Sequence, residues 1–262
     1  MDTIRQITNP LTTVKKKTAL LLIIAEAAVA LLLWEVIGGN GLIPTPSQIA
    51  VKAFAIVRSE YFVDNFLSSL GLTLSGMGLS IAIALTVSYA SLIPLFTPVA
   101  RFVMKCRYLT LTGLIFLFTL LTQDGHQLKL SLLMFGIVPF FVTSLLSIID
   151  AIPAQEYELC QTLRMNNWRA LWEVVIIGRL DQVLEVMRQN FAIAWMMITM
   201  VEGLSMSEGG LGTMLIKSSK YIDLGTVFAI LLIIFGVGVC FDFLLKKMRT
   251  WLFPYTNIHL RK

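Results

Sequence analysis

The sequence predicts an all-α integral membrane protein with about six transmembrane helices, and three observations carry that expectation. First, 56% of the 262 residues are hydrophobic and only 14% are charged, with a mean hydropathy of +0.79. That is far more apolar than a soluble domain of this size. Second, several apolar runs approach or exceed the roughly 20 residues that a helix needs to cross about 30 Å of hydrocarbon. Third, lysines and arginines gather between alternate runs, as in a multi-pass protein with a fixed orientation. Strands of a membrane barrel would instead be short and alternating.

The spans follow in order. Ala19 to Ile37 is the first, opened by Lys15, Lys16 and Lys17 and closed by Gly38, Gly39 and Asn40. A loop from Gly38 to Asn65 then carries Pro44 and Pro46, and Ser47 is a good N-cap for an interfacial helix reaching Arg58. Leu67 to Pro94 is the second span, long enough to tilt. Gly71, Ser75, Gly78 and Ala82 give it a thin face for a neighbouring helix. Met104 to Leu121 is the third, ended by the turn at Gln123, Asp124 and Gly125. Leu128 to Ile149, with Pro139 inside it, is the fourth. Val183 to Leu204 is the fifth, and it carries Glu185 and Arg188 in its first turns. Leu224 to Leu245, thinned by Gly236 and Gly238, is the sixth.

With the N-terminus in the cytoplasm, 16 of the 21 basic residues fall on the inner side, Arg101, Lys105 and Arg107 among them. Only Lys52, Arg58, Lys129, Lys217 and Lys220 fall outside. Both termini are therefore expected in the cytoplasm. This divides the chain into an N-terminal segment 1–18, a membrane domain 19–245 and a C-terminal tail 246–262. The net charge of +5 reflects this orientation and not a nucleic-acid surface, since no basic patch with interleaved aromatics appears. The Lys-rich start also resembles a secretory signal, but no small-residue cleavage site precedes Trp34, which favours a retained anchor. Cys106, Cys160 and Cys240 cannot all pair with one another, so free thiols and no metal site are expected.

Local signatures for ATP hydrolysis, zinc proteolysis and serine hydrolysis are missing. His126 and His259 sit in a loop and a tail, and the run from Glu208 to Thr213 reads as a flexible glycine-rich turn. Intramembrane acids are better candidates, because each is costly unless paired or facing water. Glu26 lies about two turns into the first span and Glu35 near its far end, while Glu202 closes the fifth. Glu202 and Glu26 are candidates for a translocation path, with structural pairing as the alternative. Asp242, Lys246 and Lys247 read as an interfacial cluster, with Trp251 and Tyr255 as headgroup anchors.

The most distinctive segment is polar and runs from about 153 to 182. Pro153 suits a helix start, and Glu156 and Glu158 are favourable there. Leu159, Cys160 and Leu163, then Trp168, Leu171, Trp172 and Val175, recur at helical spacing. Arg164 to Asn167 interrupts them. Two short amphipathic helices joined by a turn, lying against the inner face, would offer a partner something to grip.

Glu158-Leu-Cys-Gln-Thr-Leu-Arg-Met-Asn-Asn-Trp168 resembles the EAA loop of bacterial ABC importer permeases, whose usual form is Glu-Ala-Ala, three residues, then Gly. Leu33-Trp-Glu-Val, Ile43-Pro-Thr-Pro-Ser47, Gly203 and Ser207-Glu-Gly-Gly-Leu-Gly212 narrow the resemblance to the nitrate/sulfonate/taurine subfamily. The resemblance implies a type I importer permease in the bacterial inner membrane. Its loop would dock into a groove of a separate ATP-binding subunit. Glu158, Leu159 and Cys160 take the Glu-Ala-Ala positions, Gln161, Thr162 and Leu163 follow, Arg164 takes the Gly position, and Met165 comes next. No cofactor is implied for this chain, since ATP and Mg belong to the partner ATPase. The other implied partners are an extracytoplasmic solute-binding protein, a second permease copy and membrane lipid. The implied cargo is a small anion of the sulfonate or nitrate type. Glu202 falls where the subfamily commonly has an acid.

Departures from the pattern carry physical expectations. Arginine at a left-handed position costs roughly 1 kcal/mol or more, so the turn is open to a different shape. Ile177 stands where proline is common, and Thr143-Ser144 falls near a frequent Asn. The alternative functional class is a non-transporting scaffold or degenerate permease that recruits a cytoplasmic partner. A membrane enzyme is disfavoured by the lack of paired catalytic side chains.

Overall fold

In the computed structural model the described residues are 16–38 and 43–254. Expectations for Lys15, Gly39, Asn40, Tyr255, His259 and the rest of both chain ends lie outside them. Among the described residues every regular element is a helix. We label them α1 (Lys16–Ile37), α2 (Pro46–Val57), α3 (Glu60–Ala90), α4 (Thr97–Lys105), α5 (Leu111–Leu121), α6 (Gly125–Asp150), α7 (Ala154–Thr162), α8 (Asn167–Ala170), α9 (Leu180–Leu204), α10 (Leu211–Lys220) and α11 (Leu224–Leu252). Three of these, α3, α6 and α11, are long and apolar enough to cross a membrane, and the bent pair of residues 97–108 and 111–121 makes a fourth where it counts as one span. With 22 residues, α1 reaches about 33 Å at 1.5 Å per residue, and α9 with 25 residues about 37 Å.

Buried residues of α3, α6 and α9 form one core around Leu72, Leu132, Leu133, Phe141, Trp195 and Ile198. Close approach is local. Leu133 lies where a Cβ on Gly76 would stand, at 2.7 Å, so glycine lets α3 and α6 meet. The thin face at Gly71, Ser75, Gly78 and Ala82 is instead exposed, with nothing within 4 Å of a Cβ placed on Gly71 or Gly78. On α9, the Trp195 indole donates to the Ile234 carbonyl of α11 at 2.9 Å, and Phe191 stacks near Phe241.

Several sequence expectations shift. The third apolar run is not one straight span: residues 97–108 and 111–121 meet at 113°. Leu109 and Thr110 are extended there, which ends one helix before the next begins. The interfacial helix starts one residue earlier than expected, and Thr45, not Ser47, is its N-cap, in a capping box with Gln48. Ser47 is used otherwise, its hydroxyl donating to Glu35 at 2.7 Å and tying α1 to α2. Asp242 is not simply interfacial. It pairs with Arg188, while Arg249 reaches Glu185 and Asp181, so five charges fasten α9 to α11.

At the opposite end of α11, Asp223 caps the helix by accepting from the Thr226 amide and pairs with Lys52 of α2. The hydrogen bond from Lys52 is the first cause, and that from the Thr226 hydroxyl the second, of a carboxyl pKa lowered from 3.8 to about 2. A depressed carboxylate stabilises the fold above its unfolded pKa, and that contribution is lost as pH falls. Amide protection at Thr226, corrected for intrinsic exchange, should therefore decline between about pH 4 and pH 2. Asp223→Asn should flatten the decline.

Candidate functional site

Residues 153–182 form a hooked hairpin at the end of the bundle where α6 stops and α9 starts. Ile152 is buried beneath it, and Pro153 caps α7 from an extended conformation. The helix then closes on a left-handed residue. Arg164 has φ +52°, its amide donates to the Gln161 carbonyl at 2.9 Å, and the Met165 amide donates to the Cys160 carbonyl at 3.0 Å. That pair of bonds is the Schellman stop, normally built on glycine. The turn thus keeps the shape that glycine would give it, and arginine bears the strain.

Leaving the left-handed penalty out while restoring glycine's unfolded freedom gives a small net gain. Arg164→Gly is expected to stabilise the protein by about 0.5–1 kcal/mol. A melting curve of the purified variant checks the sign; a lower midpoint would show that the guanidinium makes a compensating contact.

After the turn, α8 runs without a break into a π-helical stretch, Leu171–Ile177, which ends with the Gly178 amide donating to the Glu173 carbonyl at 2.9 Å. The wider coil occurs where proline was the expected residue and isoleucine stands instead. Arg179 then pairs with Glu156, pinning the return strand of the hairpin to the first turn of α7. Sequence reading missed this pair, because 23 residues separate the partners and neither lies in the motif.

The eight motif residues divide by direction. Cys160 is buried and Met165 half-buried, and both line a cavity of about 240 Å³ under the hairpin with Leu92 and Val175. Glu158, Leu159, Thr162, Leu163 and Arg164 face outward, and Gln161 is exposed while also lining that cavity. Leu159 and Leu163 are 60% and 62% exposed, and Trp168 and Trp172 beyond the turn are 67% and 57% exposed. A small ordered hairpin therefore presents four large apolar side chains beside an acid, held in shape by a buried underside.

The two intramembrane acids diverge. Glu26 is exposed on α1. Glu202 is fully buried, and its carboxylate accepts from the Ser69 hydroxyl at 2.7 Å and the Gly212 amide at 2.8 Å. Ser69 accepts in turn from the Leu211 amide at 2.8 Å. Lys129, also buried, donates to the Gly209 carbonyl at 3.1 Å within electrostatic reach of Glu202. The glycine run is consequently no loose turn. Gly209 and Gly210 have φ of +73° and +111°, and a Cβ on Gly210 would lie 2.3 Å from the Glu202 carboxyl carbon. This cluster is a latch between α3, α6, α9 and α10.

An all-α bundle of long apolar helices with a bent third run defines a class, the multi-pass helical membrane proteins. The match of a family model places the protein within it: residues 76–251 match the binding-protein-dependent transport system inner membrane component, and the chain belongs to that family of ABC importer permeases. It is 24% identical over 241 residues to a Bacillus subtilis (strain 168) protein named as an aliphatic sulfonates transport permease, SsuC, across 88% of this chain and 86% of that one. Its fold resembles a chain in the crystal structure of an amino acid ABC transporter with histidines, with a TM-score of 0.63 and 18% identity. That likeness covers 76% of this chain and 95% of the other.

Proposed function

We propose that the 153–182 hairpin is the coupling element of this permease, seated in a groove of a separate ATPase on the cytoplasmic side. The observation that carries the proposal is the outward face of α7 and the turn after it: Glu158, Leu159, Leu163 and Arg164 exposed on a hairpin whose underside is buried. Four exposed apolar side chains on a fixed scaffold suit a protein groove better than water, and a hairpin pinned by Glu156 and Arg179 transmits force instead of yielding. Closure of the ATPase dimer would move α6 and α9 together, since the hairpin joins them directly. The retained left-handed turn at Arg164 also weighs against a degenerate permease.

The cargo in this reading is a small anion of the sulfonate or nitrate type, delivered by an extracytoplasmic binding protein, and both termini are cytoplasmic. Two copies form the pathway, with the exposed stripe of Gly71, Ser75, Gly78 and Ala82 suited to a close seam. Glu202 holds the outer latch and Glu26 faces a second copy or the path. The test is reconstitution with the ATPase and binding protein encoded beside this gene. ATP-dependent uptake of ethanesulfonate, taurine or nitrate is expected. A complex that forms no ATPase contact, or no neighbouring ATPase gene at all, would favour the scaffold reading.

A further inference from the structure

The break between α4 and α5 puts a charge where the topology tally did not. Arg107, assigned by sequence to the inner side, lies with Cys106 and Thr110 along a cavity of about 320 Å³. Gly136, Phe140 and Met197 form part of the facing wall. Gly136 and Phe140 straddle the midpoint of the 26-residue α6, so the cavity stands about 15 Å from either end of that helix. Gly136 also admits the break closely, since its Cβ would meet a Leu111 methyl at 3.3 Å.

Arg107 differs from Arg179, Arg188 and Arg249, each of which is paired with a carboxylate. Its guanidinium donates to the neighbouring Tyr108 hydroxyl at 3.0 Å, and no ion pair to it is found among the described residues. The guanidinium also lies over the Tyr108 ring, 5.1 Å from its centroid, but a cation without a carboxylate partner at mid-depth is costly against lipid, so the open side of the cavity must meet water or a second copy. Beside it, the hydroxyls of Thr110 and Thr112 and the first amides of α5 lie at the start of an 11-residue helix. Broken helices at the midplane of transporters hold anionic groups in this way.

We infer that this cavity is a resting site for the solute within the membrane, and that Arg107 binds its anionic head group. The inference rests on the importer reading and adds a site to it. A sulfonate-sized oxyanion fits the guanidinium fork, while Phe140 and Met197 receive a short alkyl portion. The volume suits a solute of this size.

Cys106 supplies a native reporter in the same wall. In the reconstituted complex, ethanesulfonate should slow alkylation of Cys106, read by mass spectrometry of its peptide, whereas uncharged dimethyl sulfone should not. Arg107→Gln should abolish that protection and lower ethanesulfonate uptake at least tenfold while solute-independent ATP hydrolysis and ATPase recovery persist. Arg107→Lys, which keeps the charge but loses the fork, should retain part of both. Wild-type uptake by Arg107→Gln, or unchanged Cys106 labelling in a complex that imports ethanesulfonate, overturns the site and leaves the importer reading standing. A wild-type complex that imports only uncharged solutes overturns the anion site and leaves the importer reading standing, whereas one that imports no solute overturns both.

Discussion

Glu202→Ala is expected to destabilise the protein by about 3–5 kcal/mol, because it leaves two buried donors without their acceptor and removes the carboxylate whose charge offsets that of a buried lysine. The side chain is fully buried, accepts from Ser69 and Gly212, and lies beside Lys129, whose own exposure is 1%. Removing the carboxylate strands that ammonium in the bundle. It also loosens the turn at 209–212, where Gly210, at positive φ, is packed against the acid. The companion double variant, Glu202→Leu with Lys129→Met, should cost less than the single change, since it removes the buried ammonium together with the carboxylate near it and leaves only the Ser69 and Gly212 donors unmet. Denaturation in detergent micelles separates these outcomes. A Glu202→Ala protein as stable as wild type would show that the carboxylate faces water and belongs to the path instead of the latch.

This cluster also shows what was legible in the sequence. The apolar runs located α3, α6 and α11 because hydropathy over 20 residues is a local property. Glu202 stood out as an intramembrane acid for the same reason. Its partners did not, because Ser69 lies 133 residues away and Lys129 looked like one more charge at a membrane edge. The glycine run was read as flexible, since composition alone cannot distinguish a loose turn from one packed so closely that a Cβ on Gly212 would lie 2.5 Å from the Thr199 carbonyl oxygen.

The hairpin was more legible than the latch. Its two helices and intervening turn follow from periodicity between residues 153 and 182, and the left-handed turn coincides with the one position where the motif wants glycine. What the sequence withheld was direction. Leu159 and Cys160 are neighbours with similar apolar character, yet one faces outward and the other lies under the hairpin. Only packing against Leu92 and Val175 decides between them. The bend at Leu109 was likewise hidden, because a run of apolar residues reads the same whether the helix is straight or broken.

The second large effect concerns the outward face. Reversing the charge at exposed Glu158 leaves the buried underside and the Glu156–Arg179 pair untouched, so Glu158→Lys should fold normally. Across an interface, a like-charge juxtaposition costs several kcal/mol, and each 1.4 kcal/mol is about tenfold in affinity. Loss of ATPase retention by at least tenfold is therefore expected.

The most direct measurement compares recovery of the partner ATPase, and its solute-stimulated hydrolysis, on affinity-purified wild type and on Glu158→Lys of equal monodispersity. A coupling hairpin predicts that both fall together in the variant. Equal recovery and equal stimulation would contradict it.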